Sequence, residues 1–142
     1  METVSREVSR LGDVASMMRL PEGQTLYGRE TVLLGEVHRN GASWKPDTRA
    51  EVLLLGDSFS NIYSDPSLGW GIGAGLAEQL SFFLQKPVDK IALNAGGALA
   101  ARRALRRHRL GSTGRLEGKR VVIYQFAVRE LRQGDWRLLG VD

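Results

Sequence analysis

Four apolar residues, Val52–Leu55, run without alternation straight into Gly56-Asp57-Ser58-Phe59-Ser60. A strand with one wet face alternates apolar and polar residues, whereas one covered on both faces does not. The run therefore predicts a central parallel strand, which constrains everything after it, because parallel neighbours must be reached by crossovers. The downstream pattern supplies them. Gly69–Gln85 opens with the glycines of GWGIGAG and continues with Leu76, Leu80 and Phe83 at helical spacing, stopped by Pro87. Val88–Leu93 reads as a second strand, Leu99–Leu110 as an Arg-rich helix closed by Gly111, and Val121–Phe126 as a third strand. Val128–Arg132 begins a further helix or turn.

This β-α-β-α-β order over residues 51–139 predicts an α/β fold, a three-layer α/β/α arrangement around a small parallel sheet. The 142 residues suit a single domain. Ligands of such folds gather at the carboxyl ends of the strands. All three predicted strands end in small or polar groups there: GDS, NAGG and QFAVRE. GWGIGAG fits neither dinucleotide nor P-loop spacing, so it reads as a turn with close helix packing.

Upstream, Val4, Val8, Leu11, Val14 and Met18 are spaced as on an amphipathic helix over residues 4–18, ended near Pro21. Residues 22–50 read as a loop with at most one short strand, pinned by Trp44 and Pro46. METVSREVSR lacks the apolar core of a signal peptide, and no apolar run approaches the ~20 residues of a membrane span.

The chain has no cysteine, which excludes disulfides, thiolate metal sites and cysteine nucleophiles. No His/Asp/Glu cluster has metal-ligand spacing, and no cofactor is implied. The net charge of +4 is concentrated in residues 101–120, where Arg and Lys recur against a single Glu. Such a stretch is either a solvated helix face or a surface for a polyanion, whether nucleic acid, acidic polysaccharide or anionic lipid. Nucleic acid is the least expected, since no recognition motif accompanies the charge.

Gly-Asp-Ser alone is ordinary turn chemistry. Here it directly follows an apolar strand, and an Asn-x-Gly-Gly turn follows the next strand 36 residues later. With these blocks the chain resembles the SGNH hydrolase superfamily. LLLGDSFSNIYS, GWG with AGLAEQLSFFL, and RLEGKRVVIYQFAVRELRQGDW are similar to its alginate acetyltransferase-like branch, from about residue 5 to 139.

The resemblance implies an envelope or periplasmic protein that moves acetyl groups onto exopolysaccharide hydroxyls through a serine ester. Its partners would be an acidic polysaccharide, an acetyl donor and other proteins of an acetylation complex. By position Ser58 matches the nucleophile, Gly96 or Gly97 the oxyanion-hole glycine, and Asn94 the foot of the same turn. Tyr63, Gln125 and Arg129 become substrate contacts, and Arg102 and Arg103, with Arg106 and Arg107, a polysaccharide-binding face. Trp70 stands between sugar contact and core, and Trp136 reads as a core anchor. Asp57 is expected to bond to the turn's own backbone rather than act as a catalytic acid.

Two features depart from the superfamily. The Gly-x-Asn-Asp block after the third strand is replaced by Tyr124-Gln125-Phe126. The Asp-x-His dyad that should activate the serine is absent from these residues, and the only histidines are His38, expected in a surface loop, and His108, among arginines. The resemblance places the dyad upstream of residue 1, making this the C-terminal part of a longer domain, inactive by itself. A non-catalytic polysaccharide-binding module is the alternative.

Overall fold

The computed structural model describes residues 1–109 and 114–140, without the side chains of His108 and Arg109. The expected helix end at Leu110 and Gly111 lies outside the described residues, as does any role for the His108 imidazole.

The predicted core is present. β4 (Val52–Gly56) lies between β5 (Val88–Ala92) and β6 (Val121–Tyr124), parallel to both, in the order β5-β4-β6. The absence of alternation in β4 has a direct cause. Leu54 joins Ala77 of helix α3 (Leu76–Leu84) with Val37, Trp44 and Val88 in one cluster. Leu53 and Leu55 join Ile91 and Ala101 and Ala104 of helix α4 (Gly97–Arg109) in a second. Each fully buried leucine stabilises the fold by about 1.5–3 kcal/mol. Gln85 ends α3 in a left-handed cap at φ 50°, two residues before Pro87.

The N-terminal third differs from expectation. Residues 2–11 form a strand, β1 (Glu2–Leu11), and only Asp13–Met17 are helical (α1). Residues 22–50 hold more than one short strand: β2 (Arg29–Arg39) pairs with β1 antiparallel over ten residue pairs, and β3 (Ala42–Ser43) folds back on it. Val4 and Val8, four apart, fit a helical face and equally one face of a strand, so their spacing cannot choose between them. β-branched Thr3, Val4 and Val8 favour the strand, and the ladder with β2 settles it. His38 therefore stands on a strand, opposite Glu2 and Ser43, not in a loop.

This antiparallel sheet is fastened to the α/β core by the Val37 amide on the Gly73 carbonyl (2.8 Å) and Gln79 Nε2 on the Gly35 carbonyl (2.7 Å). Trp44 is buried within the first cluster. Among the described residues the remaining helical pieces are short: α2 (Ser58–Asn61) after β4, a 3-10 turn at Pro66–Leu68, and α5 (Glu130–Gln133) after β6.

Candidate functional site

Because Gly56 lies opposite Ala92 in the parallel register and Leu55 opposite Tyr124, the segments after β4, β5 and β6 emerge at one rim. Asp57 caps α2 there. Its Oδ1 accepts the Phe59 amide at 2.9 Å, and its Oδ2 accepts the Ala127 amide at 3.0 Å, across from the end of β6. Both carboxylate oxygens thus hold backbone, as expected of a turn residue.

Gln125 holds the same turn from the other side. Its Oε1 accepts the Asp57 amide (3.2 Å) and the Ser60 hydroxyl (2.6 Å). The oxygen that sequence reasoning assigned to substrate is therefore committed within the protein. Gly56 makes this possible by what it lacks: a Cβ there would stand 2.1 Å from Ser60 Oγ and 2.7 Å from Ser60 Cβ.

The two serines of GDSFS consequently differ. Ser60 is fully buried and bonded to Gln125. Ser58, the first residue of α2, is half-buried, and its hydroxyl has no hydrogen-bond partner among the described residues.

The turn after β5 is tied to α2. Asn61 Nδ2 donates to Asn94 Oδ1 at 2.9 Å, and Asn94 Nδ2 donates to Asp65 Oδ2 at 2.6 Å. Asp65 also accepts the Ser67 amide, and the hydrogen bonds from Ser67 and Asn94 hold its carboxyl below the ordinary value of 3.8. Asn94 thus spends its amide bracing two loops. Gly96 and Gly97 adopt φ of +83° and +56°, turning the chain into α4.

That helix start is occupied by a side chain the sequence reading did not single out. Glu130 Oε2 accepts the Ala98 amide at 2.9 Å, and a Cβ on Gly97 would lie 2.5 Å from the same oxygen. Only the fold brings it there, across 32 residues of chain. Next to it, the Tyr124 hydroxyl donates to the Ala98 carbonyl at 2.5 Å. Burial raises the Tyr124 phenol above its ordinary 10.0, with Arg102 opposing.

The remaining candidates fall elsewhere. Tyr63 lines a cavity of about 660 Å³ with Trp70, Tyr27, Asp13 and Arg29, between the end of α2 and the β1–β2 sheet, and Ser58 is not among its walls. Trp70 is buried, with its Nε1 directed at Asp13 Oδ1 (3.4 Å). Arg129 is exposed at the rim beside Glu130. Arg102 does not extend into solvent: its guanidinium donates to the carbonyls of Asp135 and Arg137 and lies 5.2 Å from the Trp136 ring. Arg103, Arg106 and Arg107 are exposed. Trp136 is itself 40% exposed, stacked edge-on against Phe126, so it anchors the C-terminal segment rather than the core.

Among the described residues no cluster of three His, Asp or Glu is placed to hold a metal ion, and no helix is long and apolar enough to cross a membrane. Compared with known proteins, the chain matches no protein-family model, no curated protein and no solved structure.

Proposed function

We propose that Ser58 is an acyl-accepting nucleophile and that the chain is a three-layer α/β/α, SGNH-type acetyltransferase domain acting on hydroxyls of an acidic exopolysaccharide such as alginate, in the periplasm or cell envelope. One observation carries this reading: of the two serines beyond β4, Ser60 is locked to Gln125, while the Ser58 hydroxyl has no hydrogen-bond partner among the described residues and sits on a turn braced from both sides. A fixed turn with a free hydroxyl is what nucleophilic catalysis needs, because a misplaced oxygen loses rate steeply.

In the step proposed, a base takes the Ser58 proton while Oγ bonds to the acetyl carbonyl carbon. The donor's leaving group departs with its electron pair and takes up a proton. A sugar hydroxyl then attacks the serine ester and restores Ser58. Amides of the Gly96–Ala98 turn would stabilise the carbonyl oxygen as charge develops, each donor worth about 10²–10³ in rate.

Among the described residues His38 stands on β2 with no hydrogen bond to Ser58. The base proposed is an imidazole. Free imidazole can stand in for it. Incubation with a fluorophosphonate should modify Ser58 slowly, and markedly faster with added imidazole, fluoride leaving as the Oγ–P bond forms. Mass spectrometry locates the adduct. Modification absent from Ser58, or found equally in Ser58→Ala, rejects the nucleophile.

A second reading has its own observation. α4 buries Ala98, Ala101 and Ala104 and leaves Arg103, Arg106 and Arg107 exposed, a face suited to a polyanion. It predicts alginate binding that survives Ser58→Ala, weakens with salt and is lost when those three arginines become Glu.

A further inference from the structure

The start of α4 carries a contact with a consequence for Ser58. Glu130 Oε2 accepts the Ala98 amide at 2.9 Å, and both carboxylate oxygens lie 2.5 and 2.7 Å from where a Cβ on Gly97 would be. Gly97, at φ +56°, leaves room for the carboxylate as well as making the turn. The backbone of Glu130 is fixed: its carbonyl accepts the Gly134 amide (2.8 Å) and Trp136 Nε1 (2.7 Å). Three residues earlier, the Ala127 amide is bonded to Asp57, the neighbour of Ser58. One short segment therefore joins the nucleophile's turn to the carboxylate on α4.

A carboxylate and a tetrahedral oxyanion make the same demand. Each is a negative oxygen seeking free amides at the positive end of a helix. They cannot both hold the Ala98 amide.

We propose that the Glu130 carboxylate is a displaceable internal occupant of the Ala98 amide, holding the site self-inhibited until it swings away and a substrate's carbonyl oxygen takes its place. The inference rests on the acyl-transfer reading of Ser58 and concerns the regulation of that site. A carboxylate that merely caps the helix would stabilise α4 and leave Ser58 reactivity alone, which makes the two roles separable.

The experiment compares the full chain with Glu130→Gln and Glu130→Ala, measuring the rate of fluorophosphonate modification at Ser58 in imidazole buffer, with Ser58→Ala as control. Glu130→Gln keeps an oxygen to accept the Ala98 amide but removes the charge. Both variants are expected to react faster than the parent, by about tenfold or more for Glu130→Ala, the scale of one freed donor. Unchanged or slower modification in variants that remain folded by circular dichroism overturns the inference and leaves the nucleophile standing. Modification of Ser58 in none of the proteins overturns both. Should the variants fail to fold, amide spectra of the parent before and after modification decide. The Gly97 and Ala98 resonances should move as the phosphonyl oxygen replaces Glu130, and resonances that stay in place reject the proposal.

Discussion

Gly56 shows how one missing carbon organises the rim. Its φ does not require glycine; the space does, because Ser60 Oγ occupies the position of a Cβ at 2.1 Å. Gly56→Ala is expected to cost about 1–3 kcal/mol, as overpacking does. Much of that cost should vanish in a Ser60→Gly background, where the obstructing atoms are gone, and urea titrations of the four proteins give the coupling directly. Gln125 makes the complementary case. Gln125→Ala leaves the fully buried Ser60 hydroxyl without its acceptor, so a loss of about 1–3 kcal/mol is expected from the same titrations. A Gln125 used only for substrate would show no such loss. The sequence offered Gly56, Asp57 and Ser58 as a turn, and in the structure they form the junction from β4 into α2, with Asp57 between the two elements. It could not offer the partner of Ser60, because Gln125 lies 65 residues away and only the neighbouring of β4 and β6 brings it close.

At the scale of elements, what was legible divides at residue 51. Beyond it each strand or helix carries its own local signature: an unbroken apolar run in β4, a stripe of apolar residues and a proline stop around α3, alanines facing inward along α4. Before it the signature was ambiguous, since Val4 and Val8 suit either period, and the deciding partner, β2, was itself read as loop. The overlooked signal was Asn40-Gly41. These residues adopt φ of 53° and 75°, both positive, as a two-residue turn between β2 and β3 requires. Asn-Gly between paired segments is the strongest short-range sign of a hairpin. Gly41→Ala forces a side chain into the left-handed region and is expected to cost about 1 kcal/mol. The check is amide exchange along the hairpin, which should accelerate at Arg39 and Ala42, the pair nearest the turn.

The whole molecule is held at its other end by charge. Asp89 on β5 is fully buried opposite Leu53, and Arg115 grips it with Nε and Nη2 at 2.8 and 2.6 Å. Lys119 Nζ reaches Asp89 at 3.1 Å and also donates to the carbonyls of Thr48 (2.6 Å) and Ala50 (2.7 Å). One carboxylate thus joins β5, the approach to β4 and the approach to β6. Burial alone would raise its pKa, but the hydrogen bonds and charges of Arg115 and Lys119 prevail and leave it below 3.8. The sign follows from that direction. The folded protein binds the Asp89 proton more weakly than the unfolded chain, so this contribution is whole above the ordinary value and drains away as pH falls through the lowered one. Asp89→Asn keeps the shape but leaves Lys119, whose side chain is only 1% exposed, without its counter-charge, at an expected cost of about 3–5 kcal/mol near neutrality. Parent and variant stabilities should then converge as the pH is lowered below the ordinary carboxylate value of 3.8, where the parent's own Asp89 takes up its proton. Denaturant midpoints across that range measure the convergence. Parallel curves would mean that Asp89 binds its proton equally in the folded and the unfolded chain, against the direction of its lowered pKa.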